Sequence, residues 1–250
     1  MRRRARIAAS LVAVAAAAGL AAACSRVRIP PSPGVATRAR SLPLRELPVP
    51  GDTGRVFAIV LTGDGPTGGL GKRIGRELQG EGIPSVVWHS LRYYWRPKTP
   101  DQAARDLDLA IRHYARRWGR DRVLLVGYSM GADVLPFQIN RLPPETRARI
   151  AGVALIALAH DAVFEFRVEQ WWGTSGAPSR ATRPEIERLG DLRVLCIWGE
   201  GDDKAACPRM RTAPMQEVRL RGGHHFKGDE KRLMAVLRAL ADEAAPGNVR

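Results

Sequence analysis

Residues 123 to 131 read Val-Leu-Leu-Val-Gly-Tyr-Ser-Met-Gly. The four apolar residues form a short, unalternating run, the pattern of a strand covered on both faces. They lead directly into Gly-x-Ser-x-Gly, which in this setting marks a sharp turn from a strand into a helix. Gly127 and Gly131 let the chain close tightly around Ser129, so that the hydroxyl stands exposed at the strand end while the serine backbone is strained. Ala132 to Asn140 is helix-compatible, as such a turn requires. The plain alternative is an ordinary strand-to-helix turn with an inert serine, so the rest of the chain has to decide.

A serine becomes a nucleophile only beside a base that takes its proton, and the base needs a carboxylate that fixes its tautomer. In this architecture the acid follows the serine in the chain and the histidine follows the acid. Leu192 to Trp198 reads as a strand and runs into Gly199-Glu200-Gly201-Asp202-Asp203. Asp202, at Gly-x-x-Asp, is the first choice of acid, and Asp203 is the alternative. Gln216 to Leu220 is a second short strand, and it enters Arg221-Gly222-Gly223-His224-His225-Phe226 ahead of a final helix. Two of the five histidines sit there. His224, directly after the glycine pair, is the first choice of base, with His225 as its neighbour or substitute. An acyl-transfer site also needs backbone N–H donors for the developing oxyanion. Met130 supplies one, and Asp64, in Thr62-Gly63-Asp64-Gly65 after the early strand Val56 to Leu61, is the candidate second.

The remaining segments fit an α/β alternation. Ser85 to Trp88 and Ala151 to Leu158 read as buried strands, and Thr99-Pro100-Asp101-Gln102 opens a helix with a capping box and a proline in its first turn. Ala103, Leu107, Ile111, Tyr114 and Trp118 share one face of that helix, with His113 and the arginines expected elsewhere. The expectation is one α/β domain with a mostly parallel sheet of about six strands and helices on both faces, occupying residues 51–250. Residues 159–190 carry Phe164, Phe166, Trp171 and Trp172 with little period. They read either as a small cap insertion over the site or as packing under a long loop.

The N-terminus is a targeting segment. Arg2, Arg3, Arg4 and Arg6 precede the apolar stretch Ile7 to Leu20 and the small residues Ala21 to Ala23, so residues 1–23 read as an export signal too short and alanine-rich to stay in a bilayer. Cys24 follows as a lipidation site, with cleavage after Ala-x-Ala and release as the alternative. The proline-rich residues 24–50 then suit an extended tether. Without residues 1–23 the chain keeps 36 basic and 25 acidic residues, a net +11. That charge favours anionic surfaces, and for an exported, anchored chain the nearest is phospholipid. A periplasmic location is therefore expected, and nucleic acid is not, there being no binding motif. Cys196 and Cys207 flank the acid loop, and a disulfide between them would clamp it, free thiols being the alternative. No cofactor is expected, and no metal, because metal-ligand spacings are missing.

Several strings together resemble the VirJ/AcvB group of bacterial exported proteins within the α/β-hydrolase superfamily. They are Thr62-Gly63-Asp64-Gly65, Ser90-Leu91-Arg92-Tyr93-Tyr94-Trp95, the eleven residues from Gly127 to Phe137, Phe164-Glu165-Phe166 and Gly222-Gly223-His224-His225-Phe226. The resemblance covers roughly residues 56 to 240. It implies an α/β-hydrolase fold, a serine hydrolase and, for some members, cleavage of the aminoacyl ester of lysyl-phosphatidylglycerol. Others are associated with type IV secretion, so a non-catalytic scaffold with secretion-system partners is the competing implication. His89 stands where the family pattern has an acid, and Pro66-Thr67 where it has Gly-Trp. An aminoacyl ester carries an ammonium near the scissile carbonyl, which a carboxylate would recognise. Asp133, on the helix after the serine, and Glu165 are the candidates. Asp133 has a plainer reading as a helix-packing or first-turn dipole partner.

Overall fold

The computed structural model describes residues 39, 41–51, 54–65, 69–167, 178–210 and 214–243. The stretch read as an export signal, Cys24, Pro66, Thr67, Trp171 and Trp172 lie outside the described residues. The elements run β1 (Leu44–Leu47), β2 (Val56–Leu61), α1 (Gly69–Gly80), β3 (Ser85–Trp88), α2 (Ser90–Tyr93), α3 (Pro100–Trp118) and β4 (Arg122–Tyr128). After these come α4 (Met130–Ile139), α5 (Pro144–Arg147), β5 (Ile150–Ile156), β6 (Asp161–Val163), β7 (Ser179–Ala181), α6 (Arg183–Glu187), β8 (Val194–Gly199), β9 (Gln216–Leu220) and α7 (Glu230–Glu243).

Alternation along the strands explains the layering. In β2, Phe57, Ile59 and Leu61 face one apolar cluster while Val56, Ala58 and Val60 face the other. β4 divides the same way, with Val123 and Leu125 against Leu124 and Val126. Successive side chains point to opposite faces, so a run without polar residues needs cover on both. Helix α3 covers the first face with Ala103, Leu107 and Ile111. Helices α1 and α7 cover the second with Leu70, Ile74, Leu78, Leu233 and Leu237. Each such fully buried aliphatic side chain contributes roughly 1.5–3 kcal/mol relative to exposure.

The main sheet has seven strands in the order β1-β3-β2-β4-β5-β8-β9, against the expected six or so, and β6 and β7 form a separate two-stranded ribbon. All neighbours in the main sheet are parallel except β1, which pairs antiparallel with β3 through Leu44↔Trp88 to Leu47↔Ser85. β1 is the strand the sequence reading placed in the tether. Four residues between Pro43 and Pro48, with Arg45 and Glu46 in the middle, carry too little pattern to stand out. As an edge strand β1 is buried mainly at Leu47.

Helix α3 shows the anticipated start. The Thr99 hydroxyl accepts from the Gln102 amide at 3.1 Å, the Gln102 side chain accepts from the Thr99 amide at 2.9 Å, and Gly119 closes the helix in the left-handed region. His113, expected off that apolar face, is nonetheless enclosed. It is buried and meets the Tyr114 ring edge-on at 4.9 Å. The helix packs against α4 and α5 as well as the sheet, which covers a wider arc than one stripe. Asp108 belongs to the same second contact and accepts a 2.6 Å hydrogen bond from the Thr146 hydroxyl in α5.

Candidate active site

Ser129 sits between β4 and α4 with φ 53° and ψ −125°, one of three non-glycine residues with positive φ among those described. Its amide donates to the Ile156 carbonyl of β5 at 2.9 Å, fixing the turn to the neighbouring strand. The flanking glycines are required sterically. A Cβ on Gly127 would lie 2.5 Å from the Gly131 carbonyl oxygen, and one on Gly131 would lie 2.4 Å from that of Leu61. Two chain segments therefore close on the serine from either side, and only hydrogen atoms fit between them.

His224 and Asp202 come from the ends of β9 and β8, two adjacent parallel strands. His224 Nε2 lies 2.9 Å from Ser129 Oγ, and Nδ1 lies 2.8 Å from Asp202 Oδ2. A carboxylate only accepts, so Nδ1 carries the imidazole proton and Nε2 is left to accept from the serine hydroxyl. The Asp202 side chain is 6 % exposed and that of His224 is 38 % exposed, so the carboxylate is sheltered while the imidazole edge meets solvent. Backbone hydrogen bonds stitch the two loops together: Glu200 donates to Leu220 and Gly201 to Gly222, both at 2.9 Å. A Cβ at Gly199 would lie 2.4 Å from the Gly223 carbonyl oxygen, so glycine there permits this approach. Asp203 is exposed. His225 turns instead to Tyr128, whose hydroxyl lies 2.6 Å from its Nδ1. Burial, followed by His224 and Lys227, pushes the His225 imidazole below its ordinary value, which favours its neutral form.

Cys196 in β8 and Cys207 are joined by a disulfide with a Cα–Cα distance of 5.7 Å. The eleven-residue span that it closes contains Asp202. Alkylation of the denatured, unreduced protein should modify neither cysteine by peptide mapping, and prior reduction should expose both. Full modification before reduction would exclude the bridge. Its loss is expected to cost about 2–4 kcal/mol of stability.

The loop after β2 reaches the serine from the other side. A Cβ on Gly63 would be 3.2 Å from Ser129 Cβ, which places the Gly63-Asp64 backbone against Ser129. Thr62 orders that loop: its amide donates to the Trp88 carbonyl at 3.0 Å, and its hydroxyl accepts from the Ser90 amide at 3.2 Å. Met130 opens α4, where first-turn N–H groups have no acceptor within the helix.

The two carboxylates read as ammonium partners differ. One oxygen of Asp133 accepts from the Ala159 amide at 2.7 Å, linking α4 to the segment after β5. Burial, aided by the charges of Asp64, Asp161 and Asp202, holds this carboxyl well above the usual range, and the Ala159 amide opposes that shift. Glu165 is 3.2 Å from Arg167 and so is already charge-compensated. Its neighbours bind the opposite segment: Phe166 donates to the Tyr94 carbonyl at 2.7 Å and Lys98 to that of Phe164 at 2.9 Å. Phe164 and Phe166 are buried, with Phe164 edge-on to Tyr94 and Phe137 and Phe166 stacked on Trp95, which makes them packing residues.

Sequence reasoning missed Tyr128, whose hydroxyl also donates to the His224 carbonyl at 3.3 Å. Its place inside Gly-x-Ser-x-Gly, pointing toward a histidine pair, was the available signal. Burial pushes its phenol up, with Asp64 and Asp202 adding to the shift, so it remains a neutral hydroxyl. Among the described residues, no group of three His, Cys, Asp or Glu is placed to hold a metal ion.

Several solved structures share this architecture at low sequence identity. DcsB, solved in complex with its substrate analogue, is 13% identical with a TM-score of 0.61, covering 82% of this chain and 94% of that one. Est1E from Butyrivibrio proteoclasticus, solved with ferulic acid bound, is 10% identical with a TM-score of 0.57, covering 80% and 95%. The esterase domain of a Rhodothermus marinus protein is 16% identical with a TM-score of 0.54, covering 82% and 92%. Likeness at this level establishes the α/β-hydrolase fold. No protein with curated function matches the sequence. The family model described as bacterial virulence protein (VirJ) matches residues 55–244, from the start of β2 to the end of α7, and with that span the chain belongs to the VirJ family.

Proposed function

We propose that this protein is a serine ester hydrolase acting on the aminoacyl ester of an anionic phospholipid, with lysyl-phosphatidylglycerol as the substrate. The observation that carries the reading is the continuous hydrogen-bonded series Asp202, His224, Ser129, with the serine held on a strained turn. In the first step Ser129 Oγ attacks the acyl carbonyl while its proton passes to His224 Nε2. Negative charge develops on the carbonyl oxygen, where the Met130 and Asp64 amides are the proposed donors. Asp202 stabilises the imidazolium, which returns the proton to the departing glycerol oxygen. Water, deprotonated by the same imidazole, then attacks the acyl-serine ester and releases the amino acid.

The acidic setting of Asp133 supports an ammonium-bearing acyl group. Burial chiefly, with the charges of Asp64, Asp161 and Asp202 added, raises the proton affinity of Asp133, and an incoming ammonium reverses that balance. The basic chain and the amino-terminal sequence support a site at the periplasmic face of a membrane, with the protein held there through Cys24.

Purified protein is expected to release lysine from vesicles containing lysyl-phosphatidylglycerol. Asp133→Asn keeps an acceptor for the Ala159 amide but cannot ionise. It should raise KM for this lipid about tenfold or more, and affect an uncharged acyl ester much less. Cleavage of uncharged esters with the lipid left intact would remove the lipid from the proposal and leave the hydrolase.

A further inference from the structure

A cavity of about 1040 Å³ opens beside the loop after β2, between β1, the start of α1 and the segment from His89 to Lys98. Lys72, His89, Arg92, Arg96 and Lys98 line it. Among the described residues Asp106 is the only acid on its wall, and its carboxylate already accepts a 2.6 Å hydrogen bond from the Tyr93 hydroxyl. Lys98 Nζ lies 5.2 Å from the centre of the Tyr93 ring. Among the described residues no carboxylate lies within salt-bridge distance of Lys72, Arg92 or Arg96. His89 registers the resulting field. Burial, then the charges of Lys72, Arg45 and Arg92, push its imidazole below the ordinary value. Like charges that converge on one concave surface and outnumber the one carboxylate described there repel one another, and the arrangement is relieved by a bound anion.

The cavity also touches the loop after β2. Thr62 and Gly65 are part of its wall, and Gly63 between them is the residue pressed against Ser129. We propose that this cavity is a phosphate subsite, in which Lys72, Arg92 and Arg96 hold the phosphodiester of an ester substrate so that its acyl carbonyl reaches Ser129. This rests on the hydrolase reading and specifies the alcohol side of the substrate, as Asp133 does the acyl side. Arginine suits the role because its planar donor fork matches two phosphate oxygens at once. The phosphate can belong to a lipid headgroup or to a soluble phosphorylated ester. Trp95 at the cavity wall is 58% exposed and is the one large apolar side chain so exposed among the described residues, a disposition that suits the headgroup region of a membrane.

The test separates binding from turnover. Ser129→Ala protein is titrated with sn-glycerol 3-phosphate and, separately, with phosphatidylglycerol vesicles. Three backgrounds are compared: the intact cavity, Arg92→Ala/Arg96→Ala, and the charge-matched Lys231→Ala/Arg232→Ala on α7. Both arginines and both α7 residues are exposed, so the variants should fold. Binding of glycerol 3-phosphate that falls about tenfold or more in the cavity variant and not in the α7 variant is expected. Vesicle binding lost only in the cavity variant, together with the soluble probe, assigns the headgroup as source. Binding of the soluble probe alone assigns a soluble ester. Equal losses in both variants, or no binding of glycerol 3-phosphate at all, would overturn the subsite. In the Ser129 protein, Lys72→Ala should raise the KM for a phosphate-bearing ester relative to that for an uncharged ester about tenfold, with kcat less affected. Phosphate binding without any ester turnover would keep the subsite and defeat the hydrolase reading instead.

Discussion

Ser129→Ala is expected to lower kcat for ester hydrolysis by about 10³-fold or more while the protein stays folded. The hydroxyl is the only atom removed, and its hydrogen bond is to His224 Nε2, at a partly exposed site and not in the core. The serine backbone already occupies a positive-φ conformation that alanine would share, so no new strain arises. Turnover of a chromogenic acyl ester measures the loss, and thermal melting shows that the fold persists. Folded Ser129→Ala protein with near-parental kcat would refute the nucleophile. The same assay distinguishes the two histidines. His224→Ala should approach the Ser129→Ala loss, because the imidazole bridges acid and nucleophile. His225→Ala removes the contacts to Tyr128 and to the edge of the His224 ring, but no bond to Ser129 or Asp202, and should cost far less. The reverse order would reassign the base.

Which parts of this molecule could be read from its sequence follows from the range of the interactions. The strand β4, its turn and α4 were legible because periodicity, glycine placement and serine all lie within one short segment. The loops carrying Asp202 and His224 were legible because each follows an apolar strand and arrives in the chain order that the chemistry needs. The choice within each pair was not. Asp202 and Asp203 differ only in which side of a turn they occupy, and that is set by the backbone bonds from Gly201 to Gly222 and from Asp202 to Gly199. β1 was invisible, since four residues with two charges form a strand only because β3 offers an open edge. The basic cavity had no sequence signature either. Lys72 belongs to α1, His89 and Arg92 to the end of β3 and α2, and Arg96 and Lys98 to the following loop, so only the fold makes them neighbours. Glu165 stood out in the sequence as a carboxylate in the right region, whereas its ion pair with Arg167 becomes visible only in the structure.

Gly131→Ala is expected to be among the most damaging single-methyl changes at the described glycines. The added Cβ would meet the Leu61 carbonyl oxygen at 2.4 Å, its carbon at 2.7 Å and the Leu61 Cβ at 2.8 Å. Backbone at the end of β2 cannot easily yield, because Leu61 lies in register with Trp88 of β3 on one side and Gly127 of β4 on the other. Overpacking of this kind costs about 1–3 kcal/mol or more. In a domain of this size that lowers Tm by roughly 2–12 °C, at about 2–4 °C per kcal/mol. The strain falls where catalysis is most sensitive, since relief requires α4 to move away from the loop after Leu61, separating Met130 from Asp64. A displacement approaching 1 Å there would cost about 10²-fold in rate. Activity should therefore fall further than stability alone explains, measured well below Tm. Gly80→Ala is the control, having nothing within 4 Å of its added Cβ and no positive φ, and it should leave both quantities near the parent. If Gly131→Ala behaves like Gly80→Ala, the close approach of the two segments around Ser129 does not exist in solution.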